Sequence, residues 1–268
     1  MRIRVAHRNV YRYDPPAAGI IQLLRLTPRN HEGQYVVRWR IDISADARLA
    51  AHEDAFGNIA HVFSAEGPLT ELQVEVDGEV ETQNTEGIVR GTVERFAPSL
   101  FLRDTALTQA DPAIRAFAQS VRAAQGGNVL AELHGVLDRL YEEMAHEPEG
   151  AEGASNAAEA FSRGCGPSRD LSHVFIAAAH TLGIPARYVA GYFRRDDNAE
   201  TQHAGHAWTE AFVPDLGWVA FDPANGFCPT DGHVRVAIGL DALGAAPMRG
   251  MRYGPGAETL AVAIKVGQ

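Results

Sequence analysis

Cysteine is nearly absent: this chain of 268 residues has two, Cys165 and Cys228. One bridge between them is the most that could form, and it is not expected in a reduced compartment; two thiols alone do not make a typical structural zinc site. Long apolar runs are also missing, and no stretch approaches the length needed to span a bilayer. The opening M-R-I-R-V-A-H-R-N-V holds no apolar signal core, so the expectation is a soluble, cytoplasmic protein without a membrane partner. Positive charge is in deficit. A net charge of −10 argues against nucleic acid and anionic lipid as partners. There is no internal repeat, no low-complexity tract, and no P-loop or dinucleotide fingerprint, so no cofactor is expected. What remains is an ordinary apolar fraction of 46%, enough to build one large core or two smaller ones.

The first hundred residues read as strands. Residues 1–13 alternate, Y-D-P-P-A-A-G follows as a turn, and Gln34–Ile43 is a second strand. D-A-F-G-N at 54–58 is a tight turn, and Leu69–Val80 alternates at Leu72, Val74, Val76 and Val80. The character changes near Pro98. Asp111-Pro112 opens a helix with an apolar face at Ile114, Phe117, Ala118 and Val121, and Leu130, Leu133, Val136, Leu137 and Leu140 mark a second. Ser155 or Asn156 is placed to cap a short helix through Phe161. Beyond Pro185 the pattern is β again in A-R-Y-V-A-G-Y-F, A-W-T-E-A-F-V and W-V-A-F-D-P, and Leu260–Val266 is a last strand. The expected division is a β-rich domain over 1–98 and an α+β core over 99–268.

Between these parts lies Gly164–Gly183, a glycine-rich turn running into a helix with apolar positions at Leu171, Val174, Phe175, Ala178 and Leu182. Gly183 stops the helix. A helix N-terminus offers unpaired N–H groups and a partial positive charge, a setting for an anionic nucleophile or an oxyanion. Two nucleophile candidates stand there. Cys165 has the better chemistry, but it precedes the helix by about three residues. Ser168 sits at the tip. Two later residues are placed to complete a site. His206 and Asp222 flank the turn P-D-L-G, and a hairpin pairing Val213 with Gly217 sets Trp208 opposite Asp222 and His206 diagonally beside it. A one-residue slip would separate them onto opposite faces. His203 and His206, with His173 or His180, form an alternative metal set, though a carboxylate-oriented His206 needs no metal.

The segments G-P-S-R-D-L-S-H-V-F-I-A-A-A-H-T-L-G-I-P-A-R-Y-V-A-G-Y (166–192), H-A-W-T-E (206–210) and G-W-V-A-F-D-P-A-N-G (217–226) together resemble the bacterial transglutaminase-like family, whose members are also described as cysteine proteases. R-L-T-P-R and D-A-F-G-N resemble the β domain that often precedes its core. The resemblance implies a papain-like fold, with the nucleophile-bearing helix packed on an antiparallel sheet, and a Cys–His–Asp triad. Carried over, His206 is the base and Asp222 orients it. The family cysteine falls on Ser168, a departure at the reacting atom. An engineered Cys-to-Ser variant, a natural homologue without activity and a working serine are three accounts of it. The function expected from the resemblance is acyl transfer from an amide or peptide substrate through an acyl-enzyme, with hydrolysis favoured over crosslinking and turnover strongly reduced by the serine. A noncatalytic binding protein and a metal-dependent hydrolase are the alternatives.

Overall fold

The computed structural model describes residues 1–148, 155–195 and 204–268. Alternation in the first strand is nearly ideal: Ile3, Val5, His7, Asn9 and Tyr11 are buried, while Arg2, Arg4, Arg8 and Arg12 are exposed. In chain order the strands β1 (Arg2–Thr27), β2 (Gln34–Ile43), β3 (Ala50–Glu53), β4 (Ile59–Thr82) and β5 (Ile88–Val89) come first. Helices α1 (Pro112–Gln125) and α2 (Val129–Glu143) follow, then the two-residue β6 (Ala145–His146), α3 (Ala157–Arg163), β7 (Cys165–Gly166) and α4 (Ser168–Thr181). Next are β8 (Ala186–Phe193), β9 (His206–Val213), β10 (Gly217–Phe221) and β11 (His233–Gly239), and finally β12 (Met248–Tyr253) and β13 (Ala257–Gly267).

Two main sheets result. The larger is built on the long antiparallel pair β1–β4, with β2 and β3 on β4 and both β12 and β13 on β1. The smaller runs β11-β8-β9-β10-β5 and is antiparallel throughout. The fold is a mixture of helix and sheet in which strands predominate. The sheets do not divide at residue 98. The expected last strand forms, but it returns to β1, while β5 from the N-terminal part lies on the edge of the second sheet. The Y-D-P-P-A-A-G segment, expected as a turn, does not reverse the chain. β1 runs through it with an irregularity between Arg12 and Ala17, because β4 offers partners on both sides, Glu71 and Leu69. Prolines that cannot donate to a ladder are tolerated at such an interruption.

The helices start where their caps dictate. Asp111 accepts the Ile114 N–H, Asn128 that of Ala131, and Asn156 forms a reciprocal capping box with Glu159. The stripe Ile114, Phe117, Ala118 and Val121 is the buried face of α1. Helix α4 is central: apart from Arg169, every side chain from Ser168 to Ala179 is buried. Phe175 stacks on Phe221 of β10 with ring centroids 5.3 Å apart, both fully enclosed. Each such side chain contributes about 1.5–3 kcal/mol by leaving water. Ile3, Val5 and Val80 of the first sheet share this core.

Two carboxamides join the sheets. Gln34 donates to the Arg235 carbonyl at 2.9 Å and accepts the Arg235 N–H at 2.8 Å. Asn58 does the same to Ile238, at 2.8 Å in both directions. Each side chain imitates a neighbouring strand, so the β11 edge is closed without another strand.

Two buried histidines make the fold acid-sensitive. His7 is wedged between the Tyr192 hydroxyl and the Asn9 amide, and His173 accepts the Ala242 N–H. Burial lowers both from 6.5 to about 4. Both are therefore neutral when folded, and their contribution is complete above 6.5 and lost as pH falls toward 4. The expected loss is about 1.4 kcal/mol per pH unit for each. Thermal midpoints taken between about pH 7 and pH 5 should fall steadily, and replacing either histidine with glutamine should flatten the slope. A level midpoint across that range would contradict it.

Candidate active site

Helix α3 ends at Gly164, whose φ of 71° turns the chain as few other residues would. Cys165 and Gly166 then pair in parallel with Ala145 and His146. This short ladder and Pro167 deliver Ser168 as the first residue of α4, with 7% of its surface exposed. No side chain caps this helix. The Ser168 hydroxyl instead accepts the N–H of Ala207, the residue after His206, at 3.2 Å. Among the described residues it has no hydrogen bond to the imidazole itself.

The β9–β10 hairpin pairs Gly217 with Val213 and Phe221 with Thr209, the register expected from the sequence. Asp222 follows directly and is wholly buried, and its Oδ2 lies 2.6 Å from His206 Nε2. The same Oδ2 accepts from Asn225 Nδ2 at 2.7 Å and from His233 Nε2 at 3.0 Å. Oδ1 accepts the backbone N–H groups of Ala224 and Asn225 at 3.1 and 3.3 Å. Burial alone would raise this carboxyl. The charge and hydrogen bond of His206, with the hydrogen bond and charge of His233, overcome it and hold the group ionised far below the usual carboxylate range. With Nε2–H given to Asp222, a neutral His206 keeps its lone pair on Nδ1. Phe193 packs against the rings of both His206 and His233, at 5.3 and 4.4 Å between centroids.

The sequence singles out neither His233 nor Asn225. His233 stands at the head of an apolar run, H-V-R-V-A-I-G, where nothing but its own chemistry marks it. Together His206, Asp222 and His233 form a buried two-histidine, one-carboxylate group with the geometry of a metal cradle. The tautomers argue otherwise. His233 Nδ1 accepts the Thr230 N–H at 3.2 Å, and burial lowers the ring's basicity. Its one proton is therefore on Nε2, facing Asp222, and that atom donates a hydrogen bond rather than a lone pair. The other proposed metal ligands are dispersed. His173 Nε2 is engaged with Ala242, His180 Nδ1 lies 2.8 Å from Asp104, and His203 lies outside the described residues.

Cys165 lies in β7, ahead of the tip of α4. Burial and the Glu147 carboxylate push the Cys165 thiol up, and burial with Glu86 and Asp138 takes Cys228 to about 11. Both are held away from the thiolate form.

Behind the site, two further motif residues meet. Arg187 of P-A-R-Y-V and Glu210 of H-A-W-T-E are cross-strand neighbours, both with fully buried side chains, and pair at 2.7 Å. Arg187 also holds Glu94 through two bonds of 2.7 and 2.9 Å and lies 3.9 Å from the Trp218 ring centroid. Arg235 reaches the other Glu210 oxygen at 2.7 Å. Burial opposes the Glu210 charge, but Arg235 and Arg187 lower its carboxyl to about 2. This chain of alternating charges fixes the strand that carries His206.

Residues 3–81 match the bacterial transglutaminase-like N-terminal region, and residues 115–223 match the transglutaminase-like superfamily. "Uncharacterized protein ML0607" of Mycobacterium leprae is 27% identical over 99% of this chain and 98% of its own. A protein-glutamine gamma-glutamyltransferase of Pseudomonas aeruginosa is 27% identical over 53% of this chain and 23% of its own. A solved structure, the "Putative Cysteine Protease" of Cytophaga hutchinsonii, superposes with a TM-score of 0.77 at 18% identity, covering 100% of this chain and 90% of that one.

Proposed function

Because the chain belongs to the transglutaminase-like superfamily, we propose that it transfers acyl groups from amide or peptide carbonyls through Ser168, His206 and Asp222. The observation that carries this reading is the 2.6 Å contact between His206 and a buried, ionised Asp222, one residue from the N–H that holds the Ser168 hydroxyl. His206 Nδ1 takes the Ser168 proton as Oγ attacks the carbonyl carbon, and Asp222 stabilises the imidazolium. The oxyanion develops beside the uncapped N-terminus of α4, where backbone N–H groups stabilise it. Collapse breaks the C–N bond, and His206 returns the proton to the departing amine. Water or a second amine then attacks the ester, His206 again relays the proton, and Ser168 is regenerated.

Serine makes this a slow version of thiol chemistry, because a hydroxyl is far less acidic than a thiol and depends wholly on the base. That supports an impaired amide hydrolase or acyltransferase over a vigorous one. A fluorophosphonate probe should label Ser168: an Oγ–P bond forms, fluoride leaves and His206 takes the proton. Ser168→Ala should abolish labelling. Ser168→Cys should raise turnover of amide substrates and be alkylated by iodoacetamide at position 168. A folded Ser168→Cys protein inert to both thiol probe and substrate would defeat the proposal and favour a noncatalytic binding role.

A further inference from the structure

We infer that His233 is a positioning residue for His206, acting through the carboxylate that the two rings share; this rests on the acyl-transfer reading above. The groups around Asp222 Oδ2 are three donors: His206 Nε2 at 2.6 Å, Asn225 Nδ2 at 2.7 Å and His233 Nε2 at 3.0 Å. Of these, His233 alone has its proton fixed by a backbone group. The Thr230 N–H occupies Nδ1 at 3.2 Å, so a neutral ring can only donate from Nε2. Its ring is clamped as well, 4.4 Å from Phe193 and 5.2 Å from Trp208 between centroids. Asp222 therefore meets one imidazole that must change its protonation state in each turnover and one that does not.

The consequence concerns orientation. A carboxylate turned about its terminal torsion exchanges its two oxygens at little cost, because that torsion is broad. Here Oδ1 is held by two backbone N–H groups and Oδ2 by side chains, so the plane is pinned at both ends. When His206 gains and loses its second proton, the His233 donor stays in place and keeps Oδ2 aimed at His206 Nε2. Removing it leaves a buried carboxylate short of a donor, with its plane set by Asn225 and the backbone alone. The chemistry should slow while substrate binding is little altered.

The decisive pair of variants is His233→Phe, which keeps a ring without the donor, and His233→Gln, whose Nε2 can restore the donor. In the whole chain, His233→Phe should lower kcat, or the rate of fluorophosphonate labelling at Ser168, by roughly 10- to 100-fold with KM little changed, the size of one hydrogen bond to a charged group. His233→Gln should recover most of the rate. A merely structural role would move stability and leave that rescue absent. Equal rates in the parent and a folded His233→Phe protein would overturn the inference and leave the acyl-transfer reading intact. If the parent neither labels nor turns over, that reading has failed separately, and nitrogen-15 spectra of the histidines decide this one. The parent should show His233 protonated on Nε2 and unprotonated on Nδ1, and His233→Phe should displace the His206 Nε2 proton resonance. A proton on His233 Nδ1, or an unmoved His206 resonance, would refute it. The parent measurement needs no variant to fold.

Discussion

Asp222→Asn should lower kcat by roughly 10⁴-fold, the size expected when a triad carboxylate becomes an amide, with the fold retained. The reason lies in the donor count. Oδ1 accepts two backbone N–H groups, and Oδ2 accepts from His206, Asn225 and His233. An asparagine must turn its NH₂ toward one of these sets. Backbone N–H groups cannot yield, so the amide nitrogen faces the side chains. His206 then accepts on Nε2 and carries its proton on Nδ1, which is the wrong tautomer for a base at Ser168. His233 cannot make the same exchange, because the Thr230 N–H already occupies its Nδ1. Steady-state kinetics should show the loss in kcat with KM little changed, and circular dichroism should match the parent. Activity within tenfold of the parent would mean that His206 does not depend on this carboxylate.

The second large effect concerns stability. Glu210→Ala leaves two arginines facing a cavity: Arg187, with no surface exposed, and Arg235. Arg187 keeps Glu94, but Arg235 loses both of its bonds to Glu210. Breaking a buried ion pair from one side costs about 3–5 kcal/mol. For a protein of this length that is a fall of roughly 10 °C in the thermal midpoint. The double variant Arg187→Met, Glu210→Leu should lose less than the sum of the single changes, since it removes the desolvated charges together. The Glu210 carboxyl, lowered from 4.5 to about 2, contributes stability that is complete above 4.5 and disappears only as pH falls through 2. Acid sensitivity from this network is therefore centred below the range in which His7 and His173 titrate. A Glu210→Ala protein within 1 kcal/mol of the parent, by denaturant titration, would show that the pair is dispensable.

Local signals were the legible ones. The caps at Asp111 and Asn156, the buried stripe of α1 and the register of the β9–β10 hairpin all follow from spacing of a few residues. Ser168 at a helix tip and His206 beside Asp222 were legible for the same reason: each placement depends on one turn. What stayed hidden depends on chain returns. The alternation of β13 marks a strand, but nothing local says that its partner is β1, some 250 residues earlier. Arg187 and Glu210 are unremarkable as a strand arginine and a strand glutamate until β8 and β9 pair. His233 approaches Asp222 only because β11 lies against β8 on the far side of the sheet, an ordering that no periodicity encodes.

The paired bonds from Gln34 and Asn58 to β11 have a bearing on how far the two sheets can move apart. Swinging the larger sheet outward as a hinged flap would strip four polar bonds at once, and the two buried ones at Asn58 would each cost about 1–3 kcal/mol to leave unmade. The two bodies therefore travel together.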